Sequence, residues 1–436
     1  MTAVNIFIKL RVAAATIFAL ITLQLYAQSP KAKFGTFALT HATIQTVTKG
    51  TIEDGTVIIA DGKITALGKD VAVPQGAEII DCSGKWIYPG MIDGGTHLGL
   101  SEVGSDPRTR DFNEVGDVIP QLKALSAINP NSVLIPVTRV SGVTTVIATP
   151  EGDLMPGTAA LINLHGYTPD QMFAGFEGVV LVFPNTGRKG FLDRRTPEEI
   201  RKATDKALSK LNESWDLAVQ YHKLDSASKS TKYYPEMQAL LPVIRGERTL
   251  IIEANTSKDI LAVLKWVADR KVKKVILTGV AEGWRVAAEI AKAGIPVIAG
   301  PVLAEPTRDY DRYDKAYANP GLLKKAGVTV ALRTTQAENV RNLPYNAAFA
   351  AAYGLGKDEA LRSVTIVPAE MFGVADKLGS IEVGKNATLF VSDGDPFETK
   401  TNILHVFIGG WEMPMTSRQT ELYQEFLQRD PGVTKK

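Results

Sequence analysis

The chain has 436 residues, with 49 Lys and Arg against 47 Asp and Glu, five His and one Cys, and 45% of its positions are hydrophobic. The lone Cys82 excludes an intramolecular disulfide framework and any cysteine-built metal cluster, so a metal site would have to draw on His and carboxylates. The near-balanced charge, spread without a basic block, offers no footprint for nucleic acid.

Residues 1–27 read as a secretory signal peptide: Lys9 and Arg11 precede an apolar run over 12–25, and Ala27 suits cleavage. The run is shorter than the ~20 apolar residues of a spanning helix. Cleavage there removes Lys9 and Arg11 and leaves acidic and basic residues equal in number. The mature protein is therefore expected to be exported, periplasmic or extracellular, with no stable membrane anchor. Over 34–90 short β-type runs alternate with turns, including Asp61-Gly62 between alternating apolar stretches, a strong hairpin signal. Residues 379–412 have the same texture, so both ends of the mature chain are expected to build one small β-sandwich.

Between them, 91–378 alternates β-branched runs with helical stretches. Eight strands are predicted, at 86–93, 144–148, 158–163, 179–183, 250–254, 275–279, 296–300 and 328–333. Thr196-Pro197-Glu198-Glu199 is an N-cap, a first-turn proline and a capping glutamate, and it opens a helix expected to reach Leu224. Further helices are predicted from Ser257 and over 283–292. Repeated strand and helix argue for a parallel α/β architecture, and eight strands for a (β/α)₈ TIM-like barrel whose chemistry sits at the C-terminal strand ends. Residues 413–436 read as a helix from Arg418 with a loose tip.

The run 88–100, Tyr-Pro-Gly-Met-Ile-Asp-Gly-Gly-Thr-His-Leu-Gly-Leu, resembles the opening of the amidohydrolase superfamily. Further blocks, among them Gly142-Val-Thr-Thr-Val146, Pro368-Ala369-Glu370 and Gly379-Ser-Ile-Glu-Val-Gly-Lys385, resemble its imidazolonepropionase-like branch in order and spacing. The resemblance implies a hydrolase of carbon–nitrogen bonds in non-peptide or small-peptide substrates. It also implies one or two divalent ions, usually zinc, that activate a water. The family's ligands are a His-x-His on the first strand, a Lys or Glu on the fourth, a His after each of the fifth and sixth, and an Asp after the eighth.

Carried over residue by residue, the pattern departs at most positions. Gly95 stands at the first His and His97 at the second; Val179 falls at the fourth-strand Lys; Glu253 takes the fifth-strand His; Gly279 takes the sixth; Thr335 replaces the Asp. His97 and Glu253 are thus the candidate catalytic residues, and the candidate ligands if a metal is bound. A catalytic zinc site typically uses three protein ligands plus water. The cofactor expectation is accordingly none, or at most one divalent metal such as zinc.

Arg333 is placed to pair with Glu253 or to bind a polar ligand, and Asn185 with Arg188, and Arg341, are further rim candidates for substrate binding. His165 follows the third strand and is expected near the rim. His41, His222 and His405 are better explained by packing. Two functions stand side by side. One is an exported amidohydrolase-type hydrolase with a remodelled site. The other is a catalytically silent relative that binds a small molecule, forms a homo-oligomer or associates with an intact homologue.

Overall fold

The computed structural model describes residues 31–429 except 105, 188–192 and 228–231. The predicted signal segment, Arg188 and the tip of the C-terminal tail lie outside the described residues. Strands from both chain ends join in one continuous sheet, in the order Lys33–Phe34, Trp411–Met413, Ile403–Ile408, Leu389–Ser392, Trp86–Pro89, Phe37–Gln45, Thr51–Ala60 and Lys63–Gly68, with Glu78–Asp81 pairing Phe37–Gln45. Its alternating residues bury Phe37, Leu39, Ile59, Ile87, Leu389 and Phe407 in one cluster. The hairpin expected at Asp61-Gly62 lies between Thr51–Ala60 and Lys63–Gly68, and both turn residues have positive φ.

The second sheet has the eight predicted strands: β1 Met91–Thr96, β2 Val143–Ala148, β3 Gly157–Asn163, β4 Phe173–Val182, β5 Thr249–Ala254, β6 Val275–Gly279, β7 Val297–Ala299 and β8 Val330–Leu332. They neighbour one another in chain order. A parallel bridge between Thr96 and Thr335 joins the two edges, with the Thr335 amide donating to Gly95 O and the His97 amide to Thr335 O, each at 3.0 Å. Ile92, Ile147, Leu161, Val180, Ile251, Ile276, Ile298 and Ala331 fill the interior. Residues of the 366–378 segment, including Ile366 and Phe372, join the same cluster, and Phe372 lies 4.8 Å from Phe176 near the start of β4. This segment closes the N-terminal end of the barrel and leaves the other end as the mouth.

Two expectations change. The run predicted as one strand over 86–93 is divided. Trp86–Pro89 belongs to the outer sheet and Met91–Thr96 to the barrel, with Gly90 passing so close to Thr144 that a Cβ would lie 2.2 Å from its Oγ1. The barrel is also not wholly parallel, because β3 runs antiparallel to both β2 and β4. Residues 149–156 and 164–172 are too short for a parallel crossover, which takes a dozen or more residues. The end of β3 therefore lies at the floor of the barrel. His165 sits there, 5.2 Å from the Trp411 ring, away from the rim where it was expected.

Three helices pack against the outside of the barrel. α1, Pro197–Ser226, has the predicted capping box between Thr196 and Glu199. α2, Ser257–Arg270, is capped by Thr256. α3, Lys315–Lys325, follows the long connection after β7.

Candidate functional site

Glu253 is the next-to-last residue of β5, and its side chain is 31% exposed. Arg333 follows β8, and its side chain is only 7% exposed. Arg333 Nη2 donates to Glu253 Oε1 at 3.1 Å, and Nε donates to Gly300 O at 3.2 Å. Asn255 Nδ2 donates to the same Glu253 oxygen at 3.3 Å. The Arg333 charge, aided by these hydrogen bonds, outweighs burial and holds the Glu253 carboxyl below its ordinary range. The pairing expected from the two strand ends is thus formed.

The two glycines at ligand positions border this guanidinium. A Cβ on Gly279 would lie 3.2 Å from Arg333 Nη2 and 2.3 Å from Asn255 Oδ1, and one on Gly95 would lie 3.5 Å from Arg333 Cδ. Gly279 also has φ +82, a left-handed conformation that disfavours larger residues. The absence of side chains at 95 and 279 leaves the room that Arg333 uses.

His97 lies beside this pair. Its Nδ1 faces Thr149 O at 2.9 Å, and a carbonyl oxygen only accepts, so Nδ1 carries a hydrogen. Its Nε2 faces Glu151 Oε2 at 3.2 Å, a full ion pair when the ring is imidazolium, and the ring stacks on Phe112 at 4.3 Å. The hydrogen bond from His97 lowers the pKa of Glu151, while repulsion from Glu253 opposes that shift. Glu151, supplied by the segment after β2, was not found from the sequence. Its only signal was a carboxylate shortly after a predicted strand end.

Asp93 was missed as well. It is fully buried and accepts from Gly95 N at 2.9 Å, Thr334 N at 3.3 Å and Thr334 Oγ1 at 2.5 Å. Burial raises its pKa to about 6 against these hydrogen bonds. The carboxyl ties the end of β1 to the end of β8 beneath Arg333. Its signal was present in the Ile92-Asp93 dipeptide inside the family-like run 88–100.

Thr335 has φ +73, a strained conformation for a β-branched residue, and its Oγ1 is buried with no hydrogen-bond partner among the described residues. It lines three adjoining depressions of the mouth. One has a volume of about 330 Å³ and reaches from Glu253 and Arg333 past Trp284 to Lys315. Another holds His97, Glu151 and Arg110.

The remaining candidates are not brought to this point. Asn185 lines a different cavity of about 310 Å³ with Arg195 and Lys210, and its Oδ1 accepts from the Gly187 amide at 2.6 Å. Arg341 is exposed on the short helix after β8, and its neighbour Asn342 lines the mouth in its place. Val179 does not face the mouth. It is buried in the cluster outside the barrel, whereas Val182 is the β4 residue in register with Glu253. His41 and His405 contact Asp54 and Glu412 on the outer sheet, and His222 contacts Ser226 on α1. Among the described residues, no group of three or more His, Cys, Asp and Glu converges as a metal-binding set.

An eight-stranded barrel with polar side chains at one end, joined to a sheet made of strands from both ends of the described chain, defines an α/β-barrel with a composite β domain. The family model for the amidohydrolase family matches residues 86–413, and the chain belongs to that family. A crystal structure of an amidohydrolase from Thermotoga maritima MSB8 superposes with a TM-score of 0.76 at 25% identity, covering 88% of this chain and 100% of that one. Molinate hydrolase superposes at 0.53 with 17% identity, covering 93% and 99%, which speaks to the fold. Amidohydrolase tasK of Hapsidospora irregularis is 23% identical over 397 residues, 82% of this chain, yet the chain spans only 39% of that relative's length. An imidazolonepropionase of Caulobacter sp. strain K31 is 38% identical over 84 residues, 19% of each chain.

Proposed function

We propose that this amidohydrolase-family protein binds a small polar molecule in its barrel mouth and does not run the metal-centred cleavage of carbon–nitrogen bonds that its resemblance implies. The observation that carries this reading is the Arg333 guanidinium, paired with Glu253 and bordered by Gly95 and Gly279. These residues do not fit a divalent ion. A cation already neutralises the would-be ligand Glu253, two ligand positions lack side chains, and Thr335 replaces the carboxylate of a third.

The second reading is a hydrolase with a remodelled one-metal site on His97 and Glu253. It is favoured by Glu151, a further carboxylate 3.2 Å from His97 Nε2. Metal analysis of the purified protein after mild zinc loading separates the two. The expected result is far less than one ion per chain, with no turnover of a dipeptide, hydantoin and lactam panel. Stoichiometric zinc that is lost in His97→Ala or Glu253→Ala would sink the binding-only reading. Export to the periplasm and association with a homologue remain part of the proposal, tested by fractionation and by sedimentation of the native protein.

A further inference from the structure

The mouth cavity of about 330 Å³ has chemically different ends. At the inner end, Glu253 Oε1 is taken by Arg333 and Asn255, whereas Oε2 accepts from no described residue. Glu253 is ionised at neutral pH, and Glu151 is close enough for the two carboxylates to repel each other. This end offers one free carboxylate oxygen as an acceptor, beside the Arg333 guanidinium that holds the other. At the outer end stands Lys315, the first residue of α3, with its Nζ 4.5 Å from the Trp284 ring centroid. Lys315 forms no ion pair with a described residue, unlike Arg285 on the same indole, which is paired with Asp311.

The first turn of α3 lines the cavity through Lys315 and Ala316. Its N-cap, Asp314, makes no side-chain capping bond, so the amides of Ala316 and Tyr317 have no helical acceptor. This end offers the Lys315 ammonium and helix-start amides as donors, with Asp311 held by Arg285 and Glu305 on the same lining. Trp284, Ala281, Pro301 and Val302 give the cavity an apolar stretch of wall, which it shares with the polar Thr307, Asn319 and Thr335. Its volume is at the lower limit for small-molecule sites, which start at about 300 Å³.

Building on the binding reading above, we propose that the cavity takes a small zwitterion with its ammonium and carboxylate at opposite ends of an apolar spacer. The ammonium donates to Glu253 Oε2, and the carboxylate accepts from Lys315 and the start of α3. The spacer lies along Trp284.

Calorimetric titration with ω-amino acids from 4-aminobutyrate to 8-aminooctanoate tests this, each set against the alkylamine and the alkanoate of the same length. At least one ω-amino acid is expected to bind about tenfold more tightly than both of its single-charge partners. Lys315→Met is expected to weaken the ω-amino acid and the alkanoate but not the amine, and Glu253→Gln the ω-amino acid and the amine but not the alkanoate. If every ω-amino acid fails to bind at millimolar concentration, or binds no better than its partners, the proposal is overturned. Should Glu253→Gln fail to fold, Lys315→Met on the half-buried rim decides alone. Stoichiometric zinc would overturn the metal-free reading while leaving charge discrimination to be judged on its own heats.

Discussion

Arg333 and Glu253 stabilise the mouth only as a pair, because each alone is a charge held largely out of water. Arg333→Met is expected to destabilise the protein by about 2–3 kcal/mol, below the full cost of breaking a buried pair because Glu253 retains some solvent. Glu253→Gln combined with Arg333→Met should recover most of that loss, as urea denaturation of the two variants will measure. Equal loss in both would show that the pair itself contributes little.

Asp93 has the opposite polarity. Its folded pKa, about 6, lies above the ordinary 3.8, so the folded protein holds a proton that the unfolded chain has released between those values. Its contribution to stability therefore falls as pH rises from about 4 to about 6, by about 3 kcal/mol across the window. Asp93→Asn is expected to flatten that part of the stability–pH curve, since an amide accepts the same two backbone hydrogen bonds without ionising. An unchanged slope would place the titration elsewhere. The sequence pointed to the Arg333–Glu253 pair because both residues interrupt apolar strand ends. It did not point to the Glu151–His97 contact, which depends on how the segment after β2 folds back across the mouth. A carboxylate in a loop has no periodicity to reveal its partner.

The eight barrel strands were visible as β-branched runs, and the long helix α1 as a capping box followed by a helical apolar face. The direction of β3 was not anticipated, although its cause lies in the connections. Neither 149–156 nor 164–172 has length for a parallel return, so β2, β3 and β4 form an antiparallel meander inside an otherwise parallel barrel. This matters for function because it sends His165 to the floor. Closure at the other edge was equally hidden, for it rests on Thr335 in a left-handed conformation that no propensity favours. Thr335→Asn, which tolerates that conformation and keeps both backbone bonds to β1, is expected to raise stability by about 1 kcal/mol. A rise in Tm with ligand affinity reduced would mark the strain as serving the site, whereas a fall in Tm would show that the threonine side chain is needed for packing.

The composite sheet and the barrel share buried side chains even though they share no strand. Tyr88, Phe390, Val406, Ile408 and Met413 from the outer sheet belong to the same apolar cluster as the outward faces of the barrel strands, including Val143, Val179 and Leu250. Gly142 is part of that seam, because a Cβ on it would lie 3.0 Å from Met91 and 3.1 Å from Phe390. A shared core couples the two sheets in unfolding, since neither can open without exposing the other's apolar surface. One cooperative transition is therefore expected, seen alike by Trp86 and Trp411 in the sheet and by Trp215 and Trp266 around the barrel. Phe390→Ala leaves a cavity in the seam and should cost about 3–5 kcal/mol. The decisive observation is which probes move. If Phe390→Ala lowers the midpoint for all four indoles together, measured in variants that each retain one of them, the chain ends are structural members of the barrel unit. If only the sheet indoles shift, the seam is a contact between two independently stable bodies.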